Sequence, residues 1–211
     1  MGNFFTRSVF GFFGFFKKKK ELSLGIYGPP NAGKSTLANR VLKDILGDEA
    51  PEFATSSIEH ETRKVQKVEK LELKKNGKKI VFNLLDTPGI ATKIDFEDFV
   101  GQGMKKSDAK ERAKEATQGV IESIKWLDSV DAVLVVLDAT LNPYNQVNIT
   151  LVGNLIAKKK KLLIVANKMD MKSANLDKIK LVFPDYKIIS ISAKTGKGID
   201  ELYDAIFKEF N

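Results

Sequence analysis

Five short apolar runs, at 22–27, 80–85, 132–137, 162–166 and 188–191, recur along this 211-residue chain. Each is short for a helix and lacks the alternation of a strand with one wet face, so each reads as a strand covered on both sides. Amphipathic segments separate them, which predicts β/α alternation and a mostly parallel sheet. A sixth strand differs, because Val65, Val68, Leu71 and Leu73 are interleaved with charges and lead through Asn76-Gly77 straight into the run at 80–85. Asn-Gly favours a tight hairpin turn, so 64–73 is predicted to pair antiparallel with 79–85. Ala109, Ala113, Ala116, Val120, Ile124 and Leu127 fall at helical spacing and predict one long helix over 107–127. The stretch 90–106 shows little periodicity and reads as a long loop, of the kind that is functional or disordered in compact domains.

The length suits one well-buried domain, and no segment offers the roughly 20 unbroken apolar residues of a membrane-spanning helix. Zero cysteines exclude disulfides, thiolate metal sites and cysteine nucleophiles, and fit an intracellular protein. The net charge of +8 is unevenly placed: Arg7 and Lys17 to Lys20 precede the first acid, Glu21. The rest of the chain is only mildly basic, which gives weak support for nucleic-acid binding. Residues 1–21 form a tail of their own composition, with Phe4, Phe5, Phe10, Phe12, Phe13, Phe15 and Phe16 ahead of the lysines. Residues 22–211 form the domain. Aromatics beside a lysine run are the arrangement of an interfacial anchor on an anionic membrane. Docking on a partner protein and packing on the chain's own domain are the alternatives. The start Met1-Gly2-Asn3-Phe4-Phe5-Thr6 formally fits a myristoylation pattern, a short one. The lysines follow the apolar stretch and no small-residue cleavage site follows, which argues against a signal peptide.

Gly28-Pro29-Pro30-Asn31-Ala32-Gly33-Lys34-Ser35 fits G-x-x-x-x-G-K-[ST] between a predicted strand and a predicted helix, the context of a phosphate-binding loop. Such a loop closes backbone N–H groups around phosphate oxygens, and the helix N-terminus adds positive potential. Pro30, Asn31, Ala32, Gly33, Lys34, Ser35 and Thr36 are the candidate phosphate-side residues; Lys34 would reach the β- and γ-phosphates and Ser35 would ligate Mg²⁺. Asp86-Thr87-Pro88-Gly89 ends a neighbouring strand, placing Asp86 to hold Mg²⁺ and the Gly89 N–H to meet the γ-phosphate. Asn167-Lys168-Met169-Asp170 selects the base. A carboxylate at Asp170 can accept from both N1–H and the 2-amino group of guanine, a donor pair that adenine lacks. Lys168 can lay its stem over the base, and Ser192-Ala193-Lys194 supplies a backbone N–H for guanine O6. Taken singly, each motif also reads as an ordinary turn; together, in order, they predict a GTP/GDP site.

In these motifs the chain resembles the GTPase domain of the Era and TrmE group of small GTPases. The wording Gly-Pro-Pro-Asn-Ala-Gly-Lys-Ser-Thr-Leu followed by Asn39, the pair Thr62-Arg63, and Val136-Leu137-Asp138-Ala139 carry the likeness. It implies a three-layer P-loop GTPase fold: a six-stranded, mostly parallel sheet with one antiparallel strand and helices on both faces. It also implies Thr62 as the switch I ligand of Mg²⁺, although Glu61 replaces the group's first Thr. Thr55 is the runner-up, disfavoured because no Arg follows it. Lys34, Thr62, Gly89 and Asn31 are then the candidate catalytic residues. Ile90 stands where Ras-like proteins carry the water-orienting Gln, which implies slow intrinsic hydrolysis. The resemblance suggests a substitute, K⁺ held by Asn31; the plain alternative is that Asn31 caps the loop.

The resulting expectation is a GTP-hydrolysing switch at the inner, cytoplasmic face of a membrane, reading protein effectors through 50–63 and 89–106. Acids at Asp95, Glu97 and Asp98 read equally well as a solvated loop. Two other functions stay open: a ribosome-assembly GTPase, and a module that GTP holds in shape with negligible turnover. Nucleic acid is not indicated outside the ribosome reading, since the chain ends with the helix predicted at 199–210, where Era continues into a KH domain. A nucleotide-bridged dimer or a partner protein would supply the missing catalytic charge if K⁺ does not. His60 reads as an exposed loop residue, Trp126 as packing, and Lys158 to Lys161 as a solvated turn, with a phosphate patch the minority reading.

Overall fold

The computed structural model describes residues 21–53, 65–89, 105, 107–108, 121 and 123–210. Its strands are β1 Leu22–Tyr27, β2 Gln66–Lys75, β3 Lys78–Asp86, β4 Ala132–Asp138, β5 Lys161–Asn167 and β6 Ile188–Ser190. Its helices are α1 Lys34–Leu46, α2 Gln146–Ala157, α3 Leu176–Val182 and α4 Ile199–Phe210. The six strands form one sheet in the order β2-β3-β1-β4-β5-β6. Every neighbouring pair is parallel except β2 with β3.

Both faces of this sheet are covered, and the alternation of β4 shows how. Ala132, Leu134 and Val136 enter the core shared with α1 and α4. Val133, Val135 and Leu137 enter a second core with Leu151, Val152 and Leu155 of α2 and Ile179 of α3. All seven β4 residues are buried, so the continuous apolar run follows from two packed faces. On the second face the Tyr27 hydroxyl is buried and donates to the Ser123 carbonyl at 3.1 Å. Burial, and secondarily the charge of Asp128, raises its pKa well above the usual tyrosine range.

The hairpin turns at Asn76 (φ 50°) and Gly77 (φ 72°), the paired left-handed conformations of a type I′ turn. β2 is displaced from the predicted 64–73 to Gln66–Lys75, and its register shifts between Val68 and Leu71. The cause is a bulge: Lys70 adopts φ 57° and its N–H leaves the ladder for Asn83 Oδ1 at 2.9 Å. Of the helix predicted over 107–127, residues 107–108, 121 and 123–126 are helical. Its other residues, including Ala109, Ala113, Ala116 and Val120, lie outside the described residues. So do the tail, His60, Thr55, Thr62, Arg63 and nearly all of 90–106. Trp126 packs partly buried against the second core. Among the described residues no helix is long and apolar enough to cross a membrane.

Candidate functional site

The carboxyl ends of β1, β3, β4 and β5 and the loop after β6 converge on one edge of the sheet, where α/β folds bind ligands. β1 ends at Tyr27 and the chain turns through Gly28 to Gly33 into α1. Gly33 takes φ 90°, and a Cβ there would lie 2.3 Å from Asn167 Nδ2. Only glycine fits this contact. Asn167 then joins two loops, donating from Nδ2 to Ala32 O at 2.9 Å and accepting the Ala193 N–H on Oδ1 at 2.9 Å.

Lys34 is 6% exposed and its Nζ donates to Pro29 O at 2.9 Å. Burial lowers its pKa to about 8, against the opposing pull of the Asp86 carboxylate. Asp86 is fully buried, and burial raises its pKa although Ser35 and Lys34 act against the shift. Its Oδ2 accepts the Ser35 hydroxyl at 2.6 Å, whereas its Oδ1 is buried with no hydrogen-bond partner. A lysine held below its usual pKa and an acid held above it describe a cleft short of opposite charge. Phosphates would complete the first and a divalent cation the second.

That donor set fits Mg²⁺, which takes one or two protein oxygens and completes its shell with phosphate and water. Among the described residues no three His, Cys, Asp or Glu side chains form a dedicated metal cage. Gly89 backs onto the loop, a Cβ there lying 2.7 Å from Pro30 Cα. Asn31 holds φ 56° on the outer turn of the loop.

Beside the loop lies a cavity of about 220 Å³ lined by Gly33, Thr36, Asn167, Lys168, Asp170, Met171, Ala193 and Lys194. Lys168 adopts φ 65°, and its Nζ bonds Asp138 Oδ2 at 2.6 Å, so its stem is anchored at both ends. Thr140 bonds the other oxygen of Asp138 through its N–H at 2.9 Å and its hydroxyl at 2.6 Å. Burial pushes the Asp138 pKa up, but Lys168 and Thr140 outweigh it and hold the carboxyl below the usual range. Asp170 is likewise held below the usual range, chiefly by a hydrogen bond from Ser192 and also by Lys194 and Lys168. It therefore stands ionised at the cavity wall.

Sequence reasoning named these loops, with Ser192, Asp138 and Asn39 among their residues, but missed the side-chain bonds that brace them. The buried side chain of Ser192 orients Asp170, and Asp138 orients Lys168. Arg40 of α1 donates to Ala193 O at 3.4 Å and Lys194 O at 3.0 Å. Asn39 clamps Phe53 twice, its Nδ2 donating to Phe53 O at 2.8 Å and its Oδ1 accepting the Phe53 N–H at 2.7 Å. Asn39 had a signal, its place in the motif wording; Arg40 had none. The loop at 192–194 also refines the expectation for guanine O6. The Ala193 N–H is engaged with Asn167, which leaves Lys194 as the amide open to a ligand.

Comparison with known proteins agrees with this geometry. The family model described as the 50S ribosome-binding GTPase matches residues 23–168. Among similar curated proteins, GTPase Der of Ruegeria pomeroyi is 25% identical over 90% of this chain and 36% of its own length. The tRNA modification GTPase MnmE of a Thermotoga species is 30% identical over 90% of this chain and 36% of its own. The chain thus spans about a third of these relatives. Among solved structures, Era bound to MgGDPNP and a 16S ribosomal RNA fragment superposes with TM-score 0.67 at 26% identity, covering 90% of this chain and 57% of that one. Era of Aquifex aeolicus bound to GDP and AlF4⁻ gives TM-score 0.65 at 25% identity, covering 90% and 56%. With its phosphate loop, acid-ended β3 and base cavity in this arrangement, the chain belongs to the 50S ribosome-binding GTPase family of P-loop proteins.

Proposed function

We propose that this protein binds GTP with Mg²⁺, hydrolyses it to GDP and phosphate, and acts as a nucleotide-dependent switch at an anionic membrane surface. The observation that carries the guanine reading is the cavity wall: an ionised Asp170, a tethered Lys168 and the Lys194 amide converge beside the phosphate loop. Asp170 accepts from guanine N1–H and the 2-amino group, Lys168 covers the base with its methylenes, and Lys194 N–H meets O6. The amides of 30–36 and the Lys34 ammonium hold the phosphates. Ser35, Asp86 and, from switch I, Thr62 would hold Mg²⁺, which would supply positive charge to the phosphates.

Hydrolysis transfers the γ-phosphoryl group to water while the β–γ bridging oxygen departs with GDP. Lys34 and the Gly89 N–H stabilise the charge that develops. The apolar Ile90 offers the water no acceptor, so turnover is slow without help. Asn31 would hold K⁺, which would supply positive charge beside the phosphates; a partner protein and a nucleotide-bridged dimer are the other sources. Loss of the γ-phosphate frees Thr62 and Gly89 and so changes 50–63 and 89–106, the surface offered to protein effectors. The Phe- and Lys-rich tail supports the membrane location.

Single-turnover hydrolysis with Mg²⁺ in K⁺ and in Na⁺ tests the mechanism. Faster turnover in K⁺ is expected; equal rates retire the K⁺ element, and no turnover in either favours a module that GTP merely holds in shape. The family match, and the ribosomal RNA bound to the similar Era structure, support ribosome assembly as a second reading. Sedimentation with ribosomal subunits instead of lipid would favour it.

A further inference from the structure

The backbone groups of the loop after β6 can be followed to their partners one by one. The Ser192 N–H donates to Lys197 O at 2.9 Å and the Gly196 N–H to Ser192 O at 2.8 Å. The Ala193 N–H donates to Asn167 Oδ1 at 2.9 Å, the Thr195 N–H to Ser192 Oγ at 3.1 Å and the Lys197 N–H to Thr195 Oγ1 at 3.4 Å. From 192 to 197, only the Lys194 N–H meets no acceptor among the described residues, and Lys194 lines the base cavity. Two carbonyls of this stretch are held by one side chain. Arg40 Nε donates to Ala193 O at 3.4 Å and its Nη2 to Lys194 O at 3.0 Å.

Arg40 lies on α1 one turn beyond Thr36, which lines the same cavity, so the two share a helix face. Arg40 itself stands behind the cavity wall and is not part of its lining. An arginine with an acid four positions on would ordinarily form a surface ion pair. Here that acid, Asp44, accepts the Tyr203 hydroxyl at 2.8 Å, and Arg40 forms no ion pair among the described residues. Its donors go to the carbonyls instead. A trans peptide is planar, so the Ala193 oxygen and the Lys194 N–H belong to one rigid unit and point in opposite directions. Holding that oxygen on Arg40 therefore aims the hydrogen away from Arg40. The second bond, to the next carbonyl, restrains the unit from turning, and the planar guanidinium fork suits two adjacent acceptors.

We infer that Arg40 is a positioning residue for recognition of the guanine 6-oxo group: by gripping the Ala193 and Lys194 carbonyls it sets the peptide whose N–H meets O6. The inference rests on the guanine reading above and adds to it what fixes this point of contact with the base. Asp170 is held separately, by the Ser192 side chain. The two halves of guanine recognition thus have different supports. Removing the Arg40 donors weakens the O6 contact and leaves the Asp170 contact in place.

Two analogues of GTP separate these halves. In 6-thio-GTP a sulfur, a poor acceptor, replaces O6 while both donors that face Asp170 remain; inosine triphosphate keeps O6 and lacks the 2-amino group. Affinities of the full chain for all three, with Mg²⁺, are measured for wild type, for Arg40→Met, which keeps the apolar stem without the donors, and for Arg40→Lys. Wild type should prefer GTP to 6-thio-GTP by roughly fivefold, the worth of one neutral hydrogen bond, and Arg40→Met by less than about twofold. The preference for GTP over inosine triphosphate should stay within about twofold of its wild-type value in Arg40→Met. Arg40→Lys, with a single ammonium in place of a fork, should fall between, and it carries the test if Arg40→Met does not fold. The Lys194 amide proton resonance should also move downfield when GDP binds wild type, and move less in Arg40→Met; an equal shift overturns the inference. So does an unchanged preference over 6-thio-GTP in the variants, or loss of both preferences together, which would make Arg40 a brace of the whole loop. If wild type distinguishes GTP from ATP but not from 6-thio-GTP, the inference falls and the Asp170 reading stands; equal affinity for GTP and ATP removes the guanine reading as well.

Discussion

Asp170 sits at the wall of its cavity, exposed, with Ser192 as its chief partner. Its replacement therefore separates recognition from stability. Asp170→Ala should weaken GTP binding by two or more powers of ten, because a charged pair of hydrogen bonds is lost and two guanine donors are left unmet. Its melting temperature should match wild type, as measured by calorimetry without nucleotide. Lys34 makes the opposite case, being buried and strained by its charge. Its pKa in the folded protein is about 8, below the ordinary 10.5. Between these values the unfolded chain binds more protons than the folded one, so stability rises with pH across that window. Nucleotide-free protein should thus gain stability relative to Lys34→Met from about pH 8 to about pH 10.5 and show no such relative gain below it. Urea unfolding of both proteins over this range measures the difference, and a flat difference would contradict the burial argument.

At the scale of elements, the site is a set of strand ends braced by side chains from elsewhere. Asn39 fastens α1 to the start of the 50–63 segment by two hydrogen bonds to Phe53, whose ring is buried in the core. Asn39→Ala should cost about 1–3 kcal/mol and speed amide exchange at Phe53, while leaving exchange within β4 unchanged under local opening. The strands at 22–27 and 132–137 were legible because residues packed on both faces leave an unbroken apolar run. β2 was legible only in part. Its Asn76-Gly77 turn is written in two adjacent residues, but its bulge depends on Asn83, thirteen positions from Lys70. The same reason hides Arg40, whose acceptors lie 153 and 154 positions away, and the bond from Ser192 to Asp170. Motifs record what touches a ligand; they do not record what holds those residues still.

For the molecule as a whole, the carboxyl edge of the sheet is short of charges that a nucleotide and its metal would bring. GTP and Mg²⁺ should therefore bind the folded form strongly and raise its stability by about 2.7 kcal/mol at a hundredfold excess over the dissociation constant. Chelation of Mg²⁺ should remove part of that gain by leaving the buried Asp86 Oδ1 without a partner. The account as a whole depends on the base. Titration calorimetry with GTP and with ATP, both with Mg²⁺, addresses it directly. The account predicts GTP binding roughly a thousandfold or more tighter than ATP, with the preference abolished in Asp170→Ala. Equal affinity for the two nucleotides in the wild-type protein would contradict it.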